Sequence, residues 1–356
     1  MINKFYKNKK VLVTGATGFK GAWLCYWLTM LGAKVYGIGH NKNKIKNKNL
    51  FYILKLEKKI NLRLLDIRDL NKLETFIDSS KAQILFHLAS QPIIMESYKK
   101  PYLTYTVNTI GTLNVLEAVR KSNSVKSVIC INSYQCYEKN YSTKDIKEND
   151  RLGGIDPYGG SKASAEIMIK SYQESFFKSK KCGVASGRAG NVIGGGDWTK
   201  NRLIPDTINS IIKNKTINIR NPNFNRPWIH VLEPLYGYLI LGEKLFNQPK
   251  TYTGPWNFGA KKNTTTSVLK IVNQIIKFWG KGKIQLKKKQ KYFEQKNLQL
   301  NIDKSMKILR WKPKYNITKS VQITAEWYKK VLADKFNAEK ITEKQIKDYM
   351  NESSKN

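Results

Sequence analysis

The 356-residue chain is poor in cysteine and in acidic residues, and it contains no long apolar run. Its four cysteines have neither the paired spacing of a metal site nor the density of a disulfide framework, so we expect reduced thiols and no bound metal. No stretch approaches the roughly 20 apolar residues that a membrane-spanning helix needs, and the first residues lack the apolar core of a secretion signal. These absences favour a cytoplasmic protein without a membrane partner.

The shortage of acidic residues leaves 26 Asp and Glu against 64 Lys and Arg, a formal net charge of +38. Such a balance raises the possibility of a nucleic-acid partner or an anionic membrane surface. However, lysines are spread over nearly every segment, and no arginine-rich stripe alternates with aromatic residues. We therefore expect no nucleic-acid partner, and we expect a surface field that favours an anionic ligand such as a nucleotide diphosphate.

Apolar, β-branched runs alternate with amphipathic stretches through the first half of the chain. The predicted strands are Val11–Val13, Lys34–Ile38, Asn61–Leu65, Gln83–His87, Ser127–Asn132 and Gly183–Gly187. Strands that alternate with helices predict an α/β fold of the Rossmann type, a doubly wound parallel sheet whose ligands bind beyond the carboxyl ends of the strands. The reactive residues are therefore expected in the loops that lead from strands to helices.

The composition changes after Arg188, where glycine, proline and tryptophan become frequent. We predict a dinucleotide-binding domain over 1–187, to which later segments return at about 228–258. A smaller mixed α/β lobe over 188–330 is predicted to bind the substrate, and 331–356 is predicted to form a helical tail. Two long helical patterns, at 102–121 and 158–178, are typical of helices that pack on a sheet and also of helices that form dimers.

A glycine-rich turn, Gly15-Ala-Thr-Gly18-Phe-Lys-Gly21, directly follows the first predicted strand. Between a strand and a helix such a turn lets backbone N–H groups approach a pyrophosphate, since no side chain blocks the way. The predicted cofactor contacts in this turn are Gly15, Thr17, Gly18, Phe19, Lys20 and Gly21. A glycine turn alone is a weak signal.

A second motif, Tyr158-Gly-Gly-Ser-Lys162, has the residue types for redox chemistry with a bound dinucleotide. Residues four apart lie on one face of a helix, so the Lys162 ammonium can sit beside the Tyr158 phenol. A nearby positive charge favours phenolate, which predicts a proton acceptor at neutral pH. The two motifs together predict a nicotinamide-dependent enzyme.

Further motifs extend this pattern over most of the chain, to about Trp327. They are Ser133 ahead of Tyr158, the run from Arg188 to Trp198, Arg202-Leu-Ile-Pro205, the run from Arg226 to Pro234, and Trp256-Asn-Phe-Gly259. With these motifs the chain resembles the extended short-chain dehydrogenase/reductase family, and within it the nucleotide-sugar 4,6-dehydratases. The resemblance implies bound NAD, a nucleotide-diphosphate sugar as substrate, and a homodimer or tetramer.

The resemblance also implies roles for individual residues. Tyr158 would remove the proton of the sugar 4-hydroxyl, Lys162 would lower the pKa of Tyr158 and hold the nicotinamide ribose, and Ser133 would bind the C4 oxygen. Additional cofactor contacts are implied at Asp66, Ile67, Leu88, Ala89 and Asn108. Substrate contacts are implied at Asn191, Arg202, Arg220, Arg226 and His230, among which arginine suits a diphosphate because its planar fork forms paired hydrogen bonds.

One part of the subgroup's pattern is missing. Elimination of water requires an acid and a base, which in the subgroup are an Asp and a Lys directly after the serine or threonine. Here Tyr134 and Gln135 follow Ser133, and a glutamine cannot accept a proton while tyrosine has an ordinary pKa near 10. Tyr134 and Glu96 are candidate replacements, and Met95 stands where the subgroup usually has arginine.

Three functions therefore stay open. The first is a nucleotide-sugar 4,6-dehydratase, the second a 4-epimerase or 4-dehydrogenase of a nucleotide sugar, and the third a non-catalytic dinucleotide-binding protein. The cofactor is open as well, because the second predicted strand ends without the acidic residue that binds the adenosine 2′-hydroxyl of NAD. Lys42 and Lys44 follow that strand and could attract the 2′-phosphate of NADP.

Overall fold

The computed structural model describes residues 2–40, 49–138, 145–262, 264–286 and 299–352. The strands are β1 (Lys10–Thr14), β2 (Lys34–Gly39), β3 (Asn61–Leu64), β4 (Ile84–His87), β5 (Ser127–Ser133), β6 (Gly183–Ala189), β7 (Asn191–Ile193), β8 (Ile217–Ile219), β9 (Asn225–Arg226), β10 (Trp228–His230), β11 (Gly254–Phe258), β12 (Thr266–Ser267) and β13 (Ile284–Leu286). The α-helices are α1 (Ile2–Phe5), α2 (Phe19–Met30), α3 (Leu50–Ile53), α4 (Leu70–Ser80), α5 (Ile94–Lys99), α6 (Pro101–Tyr105), α7 (Gly111–Lys121), α8 (Pro157–Tyr172), α9 (Leu203–Ile212), α10 (Leu232–Asn247), α11 (Pro249–Tyr252), α12 (Val268–Trp279), α13 (Asp303–Lys307), α14 (Ile317–Ala333) and α15 (Asn337–Asn351). Short 3₁₀ turns at Leu56–Lys58 and Tyr134–Cys136 and π-helical turns at Thr106–Ile110 and Gln173–Phe177 complete them.

A central sheet of seven strands has the order β11-β6-β5-β4-β1-β2-β3. Every neighbouring pair in it is parallel, so the chain must cross over between strands, and helices supply the crossovers. The doubly wound α/β fold is thus confirmed, and each of the six predicted strands corresponds to one of its strands. The seventh strand, β11, lies at the sheet edge and was not predicted. It begins with Gly254-Pro255, and glycine and proline argue against a strand in a sequence pattern.

Outside the central sheet, the described residues of the predicted smaller lobe contain three two-stranded pairs. β10 pairs with β7, β12 with β9, and β13 with β8. The predicted domain boundary at 187 falls inside β6, and the predicted returning segment contains both β10, which pairs outside the central sheet, and β11, which joins that sheet. The division into domains stays a prediction.

The predicted helical patterns at 102–121 and 158–178 are each interrupted by a π-helical turn. In the first turn the Asn108 side chain is buried: its Nδ2 donates to the Gln91 carbonyl at 3.1 Å and to Ser161 Oγ at 2.9 Å, and its Oδ1 accepts from Gln91 N at 2.7 Å. Turns of this kind are frequent at functional sites. Here the turn ties the loop after β4 to helix α8.

The C-terminal helices fix the loop that follows β7. The Tyr328 hydroxyl on α14 donates to the Asp197 carbonyl at 2.5 Å, and the indole of Trp327 lies against Gly195. From the other side, Trp23 Nε1 on α2 donates to the Gly195 carbonyl at 2.9 Å. The loop 194–198 is therefore clamped between α2 and α14. In the described part of the chain no helix is long and apolar enough to cross a membrane.

A buried carboxyl, Glu233, anchors the last helix. Its oxygens accept from the Tyr349 hydroxyl at 2.6 Å and from the backbone N–H groups of Lys314 and Tyr315 at 2.7 to 3.1 Å. Burial raises the pKa of Glu233 to about 7, although these hydrogen bonds act in the opposite direction. This carboxyl is therefore half-protonated near neutral pH.

The Glu233 carboxyl should make stability depend on pH. Between its ordinary pKa of 4.5 and its folded pKa of about 7 the folded chain binds more protons than the unfolded chain, so the contribution is complete below 4.5 and is lost as the pH rises through 7. A Glu233→Gln variant should therefore gain about 3 kcal/mol relative to the wild type between about pH 5 and about pH 8. Urea unfolding across this range measures the gain, and a difference that does not change with pH would contradict the prediction.

Candidate active site

A cleft of about 800 Å³ lies where the carboxyl ends of the central strands face the smaller lobe. Ser133, the last residue of β5, and Tyr158 and Lys162 on α8 line its floor. Ser133 comes from another part of the sequence than Tyr158 and Lys162, and the three residues are 9%, 8% and 6% exposed. The structure therefore brings the predicted catalytic residues together at one buried position.

The start of helix α8 is set by its own sequence. Asp156 caps the helix by accepting from the Gly159 N–H at 2.8 Å, and Pro157 occupies the first turn. The two glycines after Tyr158 allow close packing, because a Cβ at Gly159 would lie 2.9 Å from the Gln135 carbonyl oxygen and one at Gly160 would lie 2.4 Å from the Tyr105 hydroxyl. Helix α8 can thus approach the turn after Ser133.

Burial shifts the pKa values of both Tyr158 and Lys162. Burial raises the pKa of Tyr158 to about 12, while a hydrogen bond with Ser133 and the charge of Arg202 lower it only in part. Burial also lowers the pKa of Lys162 to about 8, against the opposing charge of Glu166. For the Tyr158 phenol the loss of water is the largest of these influences. The lowering of its pKa by Lys162 stays a prediction.

The glycine turn has the shape that a pyrophosphate requires. Gly15 has a φ of 71°, and a Cβ there would lie 2.7 Å from Ala89 N. A Cβ at Gly21 would lie 2.0 Å from the Gly15 carbonyl oxygen. Gly18 precedes α2 without any side-chain cap, so the N–H groups of the first helical turn face outward for an anion.

The other residues of the turn lie at its two sides. Thr17 is buried, and its carbonyl accepts from Asn49 Nδ2 at 3.1 Å. Phe19 packs near Gly194 of the smaller lobe. Lys20 lines the cleft, and burial together with the charges of Arg202 and Lys162 lowers its pKa to about 7.

The predicted adenine side of the groove lies at the ends of β3 and β4. Asp66 is paired with Arg68 at 2.6 Å, which lowers the pKa of its carboxyl to about 2. Ile67 is buried beneath Gly111, Leu88 lines the cleft, and Ala89 N donates to Thr14 Oγ1 at 3.2 Å. Lys42 and Lys44, the residues predicted to attract a 2′-phosphate, lie outside the described residues.

The substrate side of the cleft is strongly basic. Asn191, Arg202, Arg220 and Arg226 line it, as predicted, and Arg202 contacts Asp197 at 3.1 Å. The basic side chains lining it are Lys20, Lys162, Arg202, Lys213, Lys215, Arg220 and Arg226, against the carboxyls of Asp197 and Asp206. Sequence reasoning missed Lys213 and Lys215, because nothing in a chain so rich in lysine distinguishes them.

Neither His230, a predicted substrate contact, nor Glu96, a candidate base, lines the cleft. The His230 side chain is fully buried and packs edge-on against the rings of Trp23 and Tyr315, and its Nδ1 accepts weakly from Leu232 N at 3.4 Å. Glu96 pairs with Lys100 at 3.1 Å, and it is Met95 that lines the cleft. The structure therefore gives no support to substrate binding by His230 or to base chemistry by Glu96.

The positions after Ser133 carry no ready acid or base. The Tyr134 hydroxyl donates to Asn191 Oδ1 at 2.8 Å, which fixes it in the cleft wall. Gln135 is 6% exposed, and its Oε1 has no hydrogen-bond partner among the described residues. A glutamine cannot exchange a proton at neutral pH. Among the residues described, no group of His, Cys, Asp and Glu could hold a metal.

Comparison with known proteins places these features in a family. The chain matches the family model described as GDP-mannose 4,6 dehydratase over residues 12–324. It is 39% identical over 336 residues to the CDP-glucose 4,6-dehydratase of Salmonella typhimurium, an alignment that covers 92% of this chain and 93% of that protein. It is 25% identical to a UDP-glucose 4-epimerase of Pisum sativum, over 90% of this chain and 96% of that one. The chain therefore belongs to the GDP-mannose 4,6 dehydratase family of extended short-chain dehydrogenases/reductases.

Solved structures agree on the fold. A UDP-glucose 4-epimerase of Thermotoga maritima, solved with UDP-glucose, superposes with a TM-score of 0.78 at 22% identity and covers 90% of this chain and 99% of its own. A dTDP-glucose 4,6-dehydratase of Bacillus anthracis, solved with NAD, superposes with a TM-score of 0.74 at 23% identity, covering 90% and 96%. Both halves of the chain thus share the architecture of these enzymes.

Proposed function

We propose that this protein is an enzyme that uses NAD to oxidise C4 of the hexose in a nucleotide-diphosphate sugar. The observation that carries the proposal is the meeting of Ser133, Tyr158 and Lys162 in a cleft with a glycine turn on one side and a basic wall on the other. The relatives act on nucleotide sugars by name, and two of the similar structures contain NAD or a nucleotide sugar.

The residues present fit the cofactor. The turn formed by Gly15, Gly18 and Gly21 would hold its pyrophosphate at the start of α2, and Lys162 would hold the nicotinamide ribose. When bound, NAD supplies the hydride acceptor for C4. NADP is the alternative, and mass analysis of the nucleotide released from denatured protein would distinguish the two.

The side chains of this protein would then handle the proton and the charge. Tyr158 takes the proton of the 4-hydroxyl, and Ser133 hydrogen-bonds the same oxygen while its charge changes. The ammonium of Lys162 stabilises the phenolate that Tyr158 passes through. The arginines of the smaller lobe, Arg202, Arg220 and Arg226, neutralise the diphosphate.

The complete reaction has two candidates. The first is 4,6-dehydration of CDP-glucose to a 4-keto-6-deoxy sugar nucleotide, supported by the identity to the Salmonella enzyme. The second is 4-epimerisation or simple 4-dehydrogenation of a nucleotide sugar, favoured by the uncharged pair Tyr134 and Gln135. A non-catalytic dinucleotide-binding protein is disfavoured, because the three catalytic side chains are all assembled.

The test is incubation of the purified protein with CDP-glucose and with UDP-, GDP- and dTDP-hexoses, following mass and the near-ultraviolet absorbance of NADH together. A product lighter by one water supports the dehydratase. An isomer of unchanged mass supports the epimerase, and a product lighter by two hydrogens with lasting NADH supports the dehydrogenase. Absence of every product across the panel would contradict C4 oxidation.

We also propose a homodimer formed by helices α6 to α8, or a tetramer of such dimers. Large apolar side chains are exposed along these neighbouring helices, among them Tyr102 at 80% and Ile167 at 59%, with Tyr105, Ile110 and Phe176 beside them. Exposed apolar side chains on helices that pack together are typical of an interface, and a second copy offers the same side chains in return. The four buried, unpaired cysteines fit the cytoplasmic location we propose.

Ile167→Glu should convert the dimer to a monomer at micromolar concentration, because it would bury two unpaired carboxylates across a two-fold axis. Size-exclusion chromatography with light scattering measures the mass. Phe336→Glu is the matched control, since Phe336 is 81% exposed and lies on none of these helices. A dimeric Ile167→Glu variant would place the interface elsewhere.

A further inference from the structure

A buried ion pair lies directly beneath the catalytic side chains. Glu166 on α8 contacts Arg188 on β6 at 2.5 Å, and each residue is 3% exposed. The second contact of the same Glu166 oxygen is Ser186 Oγ, which donates to it at 2.8 Å. The reaction as proposed makes no use of this pair, although Glu166 follows Lys162 by one helical turn.

Asn132 connects the ion pair to both catalytic elements. Its Oδ1 accepts from Ser133 N at 3.0 Å, and its Nδ2 donates to the Lys162 carbonyl at 3.1 Å and to Glu166 Oε1 at 2.8 Å. One amide therefore joins the end of β5, the turn of α8 that bears Lys162, and the buried carboxylate. Both N–H groups of its Nδ2 are used.

The register between β5 and β6 positions Arg188, the basic partner of Glu166. Asn132 pairs with Arg188 across β5 and β6, so the two side chains start from adjacent positions. Arg188 Nη1 donates to the Tyr137 hydroxyl at 2.7 Å and to the Glu148 carbonyl at 2.9 Å, and its guanidinium stacks 4.8 Å from the Tyr137 ring centre. Glu166 is thereby fixed from the sheet as well as from its own helix.

We propose that Glu166 is a positioning residue of the active site: through Asn132 it fixes Ser133 and Lys162 relative to each other, and its charge keeps the Lys162 side chain an ammonium. The inference rests on the proposed function, in which Lys162 acts beside Tyr158. A buried carboxylate one turn along the same helix face is the one fixed negative charge placed to do this among the described neighbours of Lys162.

The groups that face Lys162 from each packed element support this assignment. They are Glu166 on α8, the thiols of Cys130 on β5 and Cys136 after it, Lys20 from the glycine turn, and His87 on β4. Burial raises the pKa of both thiols and lowers that of His87 to about 3, so these three are uncharged at neutral pH. Burial lowers the pKa of Lys162, and the charge of Glu166 raises it.

The experiment measures Lys162 directly. The purified holoenzyme, wild type or variant, is labelled briefly with acetic anhydride across a pH series, and the peptide containing Lys162 is quantified by mass spectrometry. For Glu166→Gln we expect the midpoint of labelling to fall by about one pH unit, since the variant keeps the shape and loses the charge. The alkaline limb of the pH–rate profile should move by the same amount.

A second variant, Glu166→Gln with Arg188→Gln, covers the case in which a lone buried Arg188 prevents folding. Glu233→Gln is the matched control, because it removes a buried carboxylate that belongs to the contact with α15, and it should leave the labelling midpoint unchanged. A folded variant at Glu166 with an unmoved midpoint would overturn the proposal. Failure of both Glu166 variants to fold would also overturn it, since the pair would then act in stability alone.

The labelling requires no substrate, so its result does not depend on the proposed function. A moved midpoint without turnover on any nucleotide sugar would uphold the charge interaction and reject the reaction. Turnover with an unmoved midpoint would support the reaction and reject the charge interaction of Glu166 with Lys162.

Discussion

Tyr158→Phe should lower the rate of C4 oxidation by about three orders of magnitude, within the range that a general base contributes. The hydroxyl is the one atom removed, and the ring keeps its place on α8 in the cleft wall. The rate of NADH formation during a single turnover, followed by its near-ultraviolet absorbance, measures the loss. Binding of the nucleotide sugar should change little, because the basic side chains that meet the diphosphate are untouched.

Tyr134→Phe is the control for this variant. It removes another buried phenol from the same cleft, 2.8 Å from Asn191, without touching the pair of Tyr158 and Lys162. We expect this control to keep most of the oxidation rate. Equal losses in the two variants would point to packing and not to proton transfer, and undiminished NADH formation in Tyr158→Phe would refute the assignment of the base.

The oxidation should also depend on pH in a defined way. Burial raises the pKa of Tyr158 to about 12 in the structure described here and lowers that of Lys162 to about 8. In the proposed reaction we therefore expect the oxidation rate to fall at high pH as Lys162 becomes neutral, and a pH–rate profile measures this alkaline limb. The proposed effect of the Glu166 charge on Lys162 would therefore set the position of this alkaline limb.

The sequence predicted the sheet well, because each buried parallel strand is a short apolar run and each crossover is amphipathic. Tyr158 and Lys162 are neighbours on one helix and Ser133 ends a strand, so the sequence could indicate that the three meet, and all three line the cleft. Their catalytic roles stay predictions. The sequence could not predict that His230 is buried, because a histidine in the short strand Trp228–His230 can face either the cleft or the core. The structure shows it in the core.

Interactions across strands were also beyond the sequence. Glu166 and Arg188 are 22 residues apart, and only the register of β5 with β6 brings Arg188 beneath Asn132. The extent to which burial raises the pKa of Tyr158 was beyond the sequence for a related reason. Helical spacing reveals a neighbouring charge, whereas burial depends on everything that packs around the site.

The missing acid and base after Ser133 lead to the second large prediction. Oxidation at C4 makes the C5 proton acidic, yet loss of the 6-hydroxyl still needs a group to take that proton and another to protonate the leaving oxygen. Tyr134 is hydrogen-bonded to Asn191, and the amide of Gln135 cannot titrate. Elimination should therefore be slow relative to oxidation in the wild-type protein.

Replacing both residues, Tyr134→Asp with Gln135→Lys, should raise the rate of water loss relative to C4 oxidation by at least about two orders of magnitude, the lower end of what one positioned acid or base contributes. Mass spectrometry of the product measures the fraction that has lost water, and NADH absorbance measures the oxidation. The single variant Gln135→Lys is the control, because it supplies one partner only and should gain far less.

Water loss in the double variant also requires that the variant folds and that the 6-hydroxyl of the sugar lies near residues 134 and 135. Tyr134 is packed in the core, so an aspartate there leaves space that water can fill, and thermal unfolding must show that the double variant is folded before its chemistry is compared. A folded double variant that oxidises the sugar and still leaves the water in place would mean that the 6-hydroxyl does not approach this turn. The apolar wall of Ile93, Ile94 and Met95 would then be the feature that holds the hexose in another orientation.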